Sequence, residues 1–172
     1  MSGYFLKSAR LGFRTWQAGD VELAAALWGD AEVTRFIATG PLAREEIERR
    51  LAREIASQAE HGMQYWPIFL LAGGDFVGCC GLRPYRPEEA IHELGVHVRP
   101  AFWRRGLARE AAGAVIHHAF RDLGAHALFA GHNPDNAASR ELLRALGFRY
   151  THDELYPPTG RMHPSYLMSR PA

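Results

Sequence analysis

At 172 residues, with 47% hydrophobic side chains, 23% charged ones and a formal net charge of +1, the chain has the make-up of one globular domain, residues 1–172, and not of a disordered or fibrous protein. So small a charge supplies no global field for DNA or RNA, so any anion site must be local and no direct nucleic-acid partner is expected. The opening MSGYFLKSAR lacks an apolar stretch of signal-peptide length, and nowhere do roughly 18 apolar residues run together as a membrane span requires; the chain is expected to stay in the cytoplasm, off the membrane.

In chain order, RLGFRTW (10–16) has strand composition, and Asp20 stands where a helix N-cap would precede VELAAALW. After Gly40 and Pro41, LAREEIERRLAREIASQAEHG places Ile47, Leu51 and Ile55 at i+4 spacing among charges, with Gly62 as the closing residue of a helix. The period then changes. QYWPIFLLAG and DFVGCCGLRPY flank a GGD turn as an antiparallel hairpin, and AIHELGVHV (90–98) makes a third strand whose interior Gly95 marks a bulge or a close backbone approach. Cys79 and Cys80 are neighbours in the hairpin, where adjacent side chains point to opposite faces, so both are read as reduced core residues. The nine histidines form no metal-ligand pattern, and no metal is expected.

From Arg104 onward Leu107, Ala111, Val115 and Ala119, with Ala108, Ala112, Ile116 and Phe120, make a broad apolar helical stripe ending near Gly124. A strand HALFAGH (126–132), a helix AASRELLRALG (137–147) and two closing strands, FRYTHDELY and HPSYLMSR, complete the order β-α-α-β-β-β-α-β-α-β-β. Strand, helix and strand across 90–132 read as a crossover unit, so the fold class is α+β with a mixed, mostly antiparallel twisted sheet flanked by helices.

The segment FWRRGLAREA raises a chemical question. A helix N-terminus leaves four amide N–H groups unpaired and adds about half a positive charge, which suits phosphate. Gly106 admits close backbone approach, Ala108 keeps the turn clear, and Arg104, Arg105 and Arg109 bring cations to its mouth. An ordinary solvated first turn would also explain these residues. Downstream, Asn133 and Asn136 stand at a strand–helix junction, where asparagine also serves as a cap, and Ser139 follows one turn later.

Taken together, ELGVHVRPAFWRRGLAREA and NPDNAASRELLRALGF, with RLGFRTW and GDAEVTRFI upstream, resemble the GNAT family of acetyl-CoA-dependent N-acyltransferases, especially the subgroup of RimJ- and RimL-type ribosomal-protein N-terminal acetyltransferases. The family's phosphate loop, [QR]xxGx[GA], corresponds to Trp103, Arg104, Arg105, Gly106, Leu107 and Ala108. Trp103 looks like the subgroup's WGxGxA form, with Arg104 in place of its glycine. The resemblance implies that the amides of residues 104–109 cradle the coenzyme A pyrophosphate and that Leu94, Gly95, Val96, His97 and Val98 pair with the pantetheine arm. It also implies that the family's fourth and fifth strands splay to admit that arm, that Asn136 contacts it, and that Ser139 sits near the thiolate leaving group.

The implied reaction transfers an acetyl group from acetyl-CoA to a primary amine by direct attack, which requires a base for the amine, a donor for the carbonyl and an acid for the thiolate. Glu93 is the leading base and His97 its rival; the two share a face in plain alternation, a parity that a bulge at Gly95 would break. A backbone amide near Val96 would hold the carbonyl. Leu143 stands where many family members place a tyrosine acid, which leaves Ser139 as the acid to test. His132, Tyr156 and Tyr166, with Trp28, Phe36, Tyr65 and Trp66, are candidates for the acceptor side, although aromatics at such spacings are more often core. A peptide or protein N-terminal amine is the first acceptor; a small-molecule amine such as a polyamine or antibiotic is the alternative, and a non-catalytic acyl-CoA-binding module is the rival of another class. Exposed aromatics near the closing strands leave room for a homodimer.

Overall fold

The computed structural model describes residues 3–172. Two short strands, β1 (Leu6–Lys7) and β2 (Leu11–Phe13), precede helices α1 (Val21–Trp28), α2 (Ala31–Thr34) and α3 (Arg44–His61). The meander β3 (Tyr65–Leu70), β4 (Phe76–Arg86) and β5 (Ile91–Val98) follows. The chain then runs α4 (Leu107–Arg121), β6 (Ala127–Gly131), α5 (Ala137–Leu146), β7 (Arg149–Tyr156) and β8 (Arg161–Ser169). The eight strands of the described residues join one sheet in the order β1-β2-β3-β4-β5-β6-β8-β7, antiparallel except where β5 meets β6.

The α+β class and the element order agree with the sequence reading, with local differences. The first strand contracts to Leu11–Phe13 and gains a two-residue partner, and the four-residue α2 adds a turn that periodicity is too short to reveal. Asp20 stands at the N-cap position of α1 as expected, but its side chain makes no capping bond: the carboxylate receives the Arg14 guanidinium at 2.7 Å and the Gln17 N–H at 2.8 Å. α4 begins at Leu107, three residues after the apolar period resumes.

Two apolar layers cover the sheet. Leu107, Ala111, Ala112, Val115 and Ala119 of α4 are buried against Val77, Cys80, Leu82 and Leu94, and the small alanines let the helix lie close to the strands. On the opposite face, Leu27 and Trp28 of α1 and Ile47 and Leu51 of α3 pack on Tyr65, Phe69 and Cys79. Cys79 and Cys80 therefore take opposite faces, both buried and unbridged.

The junction of β5 and β6 positions the site. The strands pair only from Ile91 to Glu93 against Ala127 to Phe129. Beyond Glu93, β5 stays with β4 to Val98 and parts from β6, leaving a gap between them. Gly95 is not a bulge, since Gly81, Cys80 and Cys79 pair in unbroken register with Gly95, Val96 and His97. It answers to close approach instead: a Cβ there would collide with the Tyr65 ring. Plain alternation therefore holds, and Glu93, Gly95 and His97 share the face on which Tyr65 lies.

Candidate active site

A cavity of about 910 Å³ runs through the gap between β5 and β6. One end lies at the N-termini of α4 and α5, where Arg104, Gly106, Ala108, Arg109, Asn136 and Ser139 line it. Leu94 to Val98 form its wall, and Leu107 also contributes. The other end opens among Arg50, Tyr65, Arg83, Glu93, Glu154 and Tyr156.

The α4 end is built from backbone. Arg104 and Gly106 have φ of 58° and 73°, left-handed values that alternate with an ordinary residue and turn successive amides toward one point. None of the N–H groups of residues 104–109 has an acceptor among the described residues; the first helical bond is Glu110 N–H to the Gly106 carbonyl, 3.1 Å. Six neighbouring donors without acceptors at a helix N-terminus form a cradle for an anion of pyrophosphate size, and the residues present fit that group. A left-handed conformation at Arg104 also explains why glycine suits this position in the loops it resembles, because a Cβ there is strained.

Sequence reading overlooked the brace behind the cradle. Arg10, just before β2, donates through Nε to Glu110 at 2.7 Å and through Nη1 to the Arg105 carbonyl at 3.0 Å. Glu110 also accepts from the Ser8 hydroxyl at 2.6 Å and the Arg10 N–H at 2.7 Å. These donors hold its carboxyl below the usual range, against the opposing effect of partial burial. The contacts lie about a hundred positions apart in the chain, and no local pattern announces them. Arg105 is absent from the cavity wall, and its guanidinium lies 5.4 Å from the Phe102 ring centre.

At the α5 end, Asn136 caps the helix, its Oδ1 accepting the Ser139 N–H at 3.1 Å. Its amide NH₂ remains available, as does the Ser139 hydroxyl, which has no partner among the described residues. Leu143 is buried and lines the cavity.

The opposite end is built from side chains. Glu93 accepts the Tyr65 hydroxyl at 3.2 Å. Withdrawal from water raises the Glu93 carboxyl above its ordinary range, outweighing the attraction of Arg83 and the Tyr65 hydrogen bond. His97 receives the Trp28 indole N–H on Nδ1 at 3.1 Å. That bond places the neutral ring's proton on Nε2, and burial, reinforced by Arg50 and Arg83, lowers the His97 pKa well below its usual value. Cys79 Sγ lies 3.7 Å from the same Nδ1, and burial pushes its thiol up to about 12. It is a core thiol, not a nucleophile.

The aromatic candidates divide. Tyr65, Phe36, Tyr156 and His132 line the cavity. Trp28 is fully buried and reaches the site through His97 and through Arg50, which lies over its ring, while Trp66 faces the α4 layer and donates to Gln58. Tyr166 is buried behind His132, whose Nε2 lies 3.2 Å from its hydroxyl. Among the described residues no cluster of three or more His, Cys, Asp or Glu could hold a metal, and no helix is long and apolar enough to cross a membrane.

The family model of the acetyltransferase (GNAT) domain matches residues 10–149. The chain belongs to the GNAT acetyltransferase family. As a GNAT acetyltransferase it is an enzyme, which sets aside the reading of a module that holds an acyl-CoA without chemistry. Among curated proteins it is 26% identical over 145 residues to the uncharacterized N-acetyltransferase p20 of Bacillus licheniformis, covering 84% of this chain and 82% of that one. Among solved structures, the GNAT acetyltransferase from Bacillus anthracis superposes with a TM-score of 0.83 at 21% identity, over 96% of this chain and 98% of the other. The ribosomal L7/L12 alpha-N-protein acetyltransferase RimL in complex with coenzyme A gives 0.80 at 15% identity, over 94% and 95%. These two likenesses establish the GNAT fold.

Proposed function

We propose that this GNAT enzyme transfers the acetyl group of acetyl-CoA to a primary amine by direct attack within a ternary complex in the cytoplasm, with a peptide or protein N-terminal amine as first acceptor. The observation that carries this reading is the single cavity with a row of acceptor-less amides, 104–109, at one end and the half-buried carboxylate of Glu93 at the other. A likeness to the RimL structure supports both the coenzyme and the acceptor class.

Acetyl-CoA supplies the activated thioester. The amides of 104–109 hold its pyrophosphate, with Arg104 and Arg109 as mobile cations and the peptide backbone supplying most of the binding. The free edge of Leu94, Gly95, Val96, His97 and Val98 pairs with the pantetheine arm, and the Asn136 amide steadies it. Glu93 takes the proton as the amine nitrogen bonds to the carbonyl carbon, its raised pKa making it a stronger base than an exposed glutamate. A backbone amide near Val96 holds the carbonyl oxygen, and the Ser139 hydroxyl, directly or through water, returns a proton to sulfur as the C–S bond breaks.

His97 serves as a positioning group, because its Nδ1 lone pair is taken by Trp28. An α-amine, with pKa near 7.7–8.0, asks about 3.5 kcal/mol less of such a base than a lysine at about 10.4. A polyamine fits poorly, since the Arg50 guanidinium stands at the acceptor end without a carboxylate partner among the described residues. Other small-molecule amines are the second reading.

The test is mass spectrometry of a peptide and amine panel after incubation with acetyl-CoA, together with thiol release and thermal shift. A 42-dalton gain on an N-terminal amine is expected, as is stabilisation of roughly 2.7 kcal/mol at acetyl-CoA 100-fold above its Kd. No acetylated acceptor, or no stabilisation, would overturn the reading. A homodimer through the exposed edge strand β7 belongs to the same proposal and is checked by sedimentation.

A further inference from the structure

Helix α3 carries Arg50 and Glu54 four residues apart, the spacing at which an isolated helix pairs opposite charges. The tertiary structure spends Glu54 elsewhere. That carboxylate is buried, takes the Arg83 guanidinium on one oxygen and receives the Tyr65 N–H on the other at 2.8 Å. Arg83 is thereby neutralised. Arg35, also on the cavity wall, lies 3.7 Å from Glu32.

Arg50 is left over. It lines the acceptor end of the cavity with its guanidinium 4.5 Å from the Trp28 ring centre, yet has no ion-pair or hydrogen-bond partner among the described residues. Its Nε is buried with no acceptor among the described residues. Arg50 is half-buried, and a cation partly withdrawn from water and left unpaired attracts an arriving anion more strongly than one in bulk solvent. The same Trp28 donates to His97, whose ring stands edge-on to Tyr65 at 5.8 Å, and Tyr65 donates to Glu93. The unpaired cation therefore belongs to the side-chain cluster that holds the candidate base.

We infer that Arg50 holds a carboxylate of the acceptor, so that the preferred substrate is a primary amine bearing a carboxylate a few bonds from its nitrogen. This rests on the acetyl-transfer reading above and narrows its acceptor. A free amino acid and a peptide beginning with Asp or Glu both present that chemistry, and separate arms of the experiment distinguish them. The planar fork of arginine suits two parallel bonds to a carboxylate, which glutamine cannot make and lysine makes only as a point charge.

The experiment measures kcat/KM for free amino acids against their carboxamides, and for peptides starting with Asp or Glu against those starting with Asn or Gln, in the wild type, Arg50→Gln and Arg50→Lys. Taking the acid-to-amide ratio cancels any general loss of activity or of folded protein. Acetyl-CoA affinity reports that each variant is folded. The wild-type ratio should favour the acid in one arm and fall roughly 10- to 100-fold in Arg50→Gln, with Arg50→Lys between them. A ratio unchanged in Arg50→Gln, an equal loss on acid and amide, or no wild-type preference for the acid overturns the inference. Calorimetry of N-acetylaspartate and its diamide with coenzyme A-saturated protein needs no turnover. If no amine is acetylated, the transfer reading fails and this arm decides the anion site by itself. Binding of the acid that Arg50→Gln abolishes upholds the site, and absence of such binding removes it.

Discussion

The two ends of the cavity are built on different principles. At the α4 end, amides within one stretch, 104–109, converge because Arg104 and Gly106 adopt left-handed backbone; side chains enter only as the brace from Arg10 and Glu110. At the acceptor end the working groups come from α3, β3, β4, β5 and β7, and His97, Glu93 and Arg83 are held by Trp28, Tyr65 and Glu54, which lie 69, 28 and 29 positions away in the chain. The first end depends on local backbone and should fail through conformation. The second depends on charge and hydrogen bonding, and should fail through chemistry while the fold survives.

The largest effect expected is at the acceptor end. Glu93→Gln should lower kcat/KM by roughly 10²- to 10⁴-fold while leaving the acetyl-CoA Kd unchanged, as steady-state kinetics and calorimetry would report. Its Tm at neutral pH should not fall. A carboxyl whose folded pKa is raised makes ionisation a cost to the fold, absent below the unfolded pKa and present above the folded one, so removing the charge relieves it. The wild-type pH profile should lose activity as pH falls through that raised pKa, above the ordinary carboxylate range, and Glu93→Gln should lose this limb. A wild-type profile without it would displace Glu93 as the base.

Next comes the cradle. Gly106→Val forces a β-branched residue to φ near 73°, where no space is lacking but the conformation is strained by about 1–2 kcal/mol. Acetyl-CoA affinity should fall by tenfold or more, and further than in Arg104→Ala or Arg105→Ala; the reverse order would make side-chain charge, not backbone, the source of binding. A smaller loss, roughly tenfold in turnover with acetyl-CoA still bound, is expected for Ser139→Ala, and intact turnover would end its role as acid.

The smallest effect separates neighbouring arginines. Arg104→Gly relieves a left-handed residue, whereas Arg105→Gly only adds chain entropy, so the first variant should be the more stable by about 1 kcal/mol in denaturant unfolding. Equal stabilities would mean that Arg104 carries no strain.

How far the sequence reached follows the same division. The amphipathic stripe of α4, the hairpin turn and the RRGLA segment are local signals, because the period of 3.6 or 2 and the demand for glycine act over a few residues. Glu93 and His97 were legible as a pair on one face through strand alternation, and the structure keeps that parity because Gly95 meets Tyr65 rather than bulging. Their difference was not legible: it depends on Trp28, 69 positions from His97, filling the imidazole lone pair.

The sequence by itself determined the periodicities, the sheet class, the burial of Cys79 and Cys80, and the glycine-bearing turn that opens α4, since each is a property of neighbouring residues. Only the tertiary structure decided which charges meet. Arg50 and Glu54 look like an ordinary helical pair until Arg83 and the Tyr65 amide claim the carboxylate, and Arg10 looks like a solvated cation until Glu110 and the Arg105 carbonyl receive it. Charge pairing follows distance in space and the removal of water, and neither is written in the spacing of the chain.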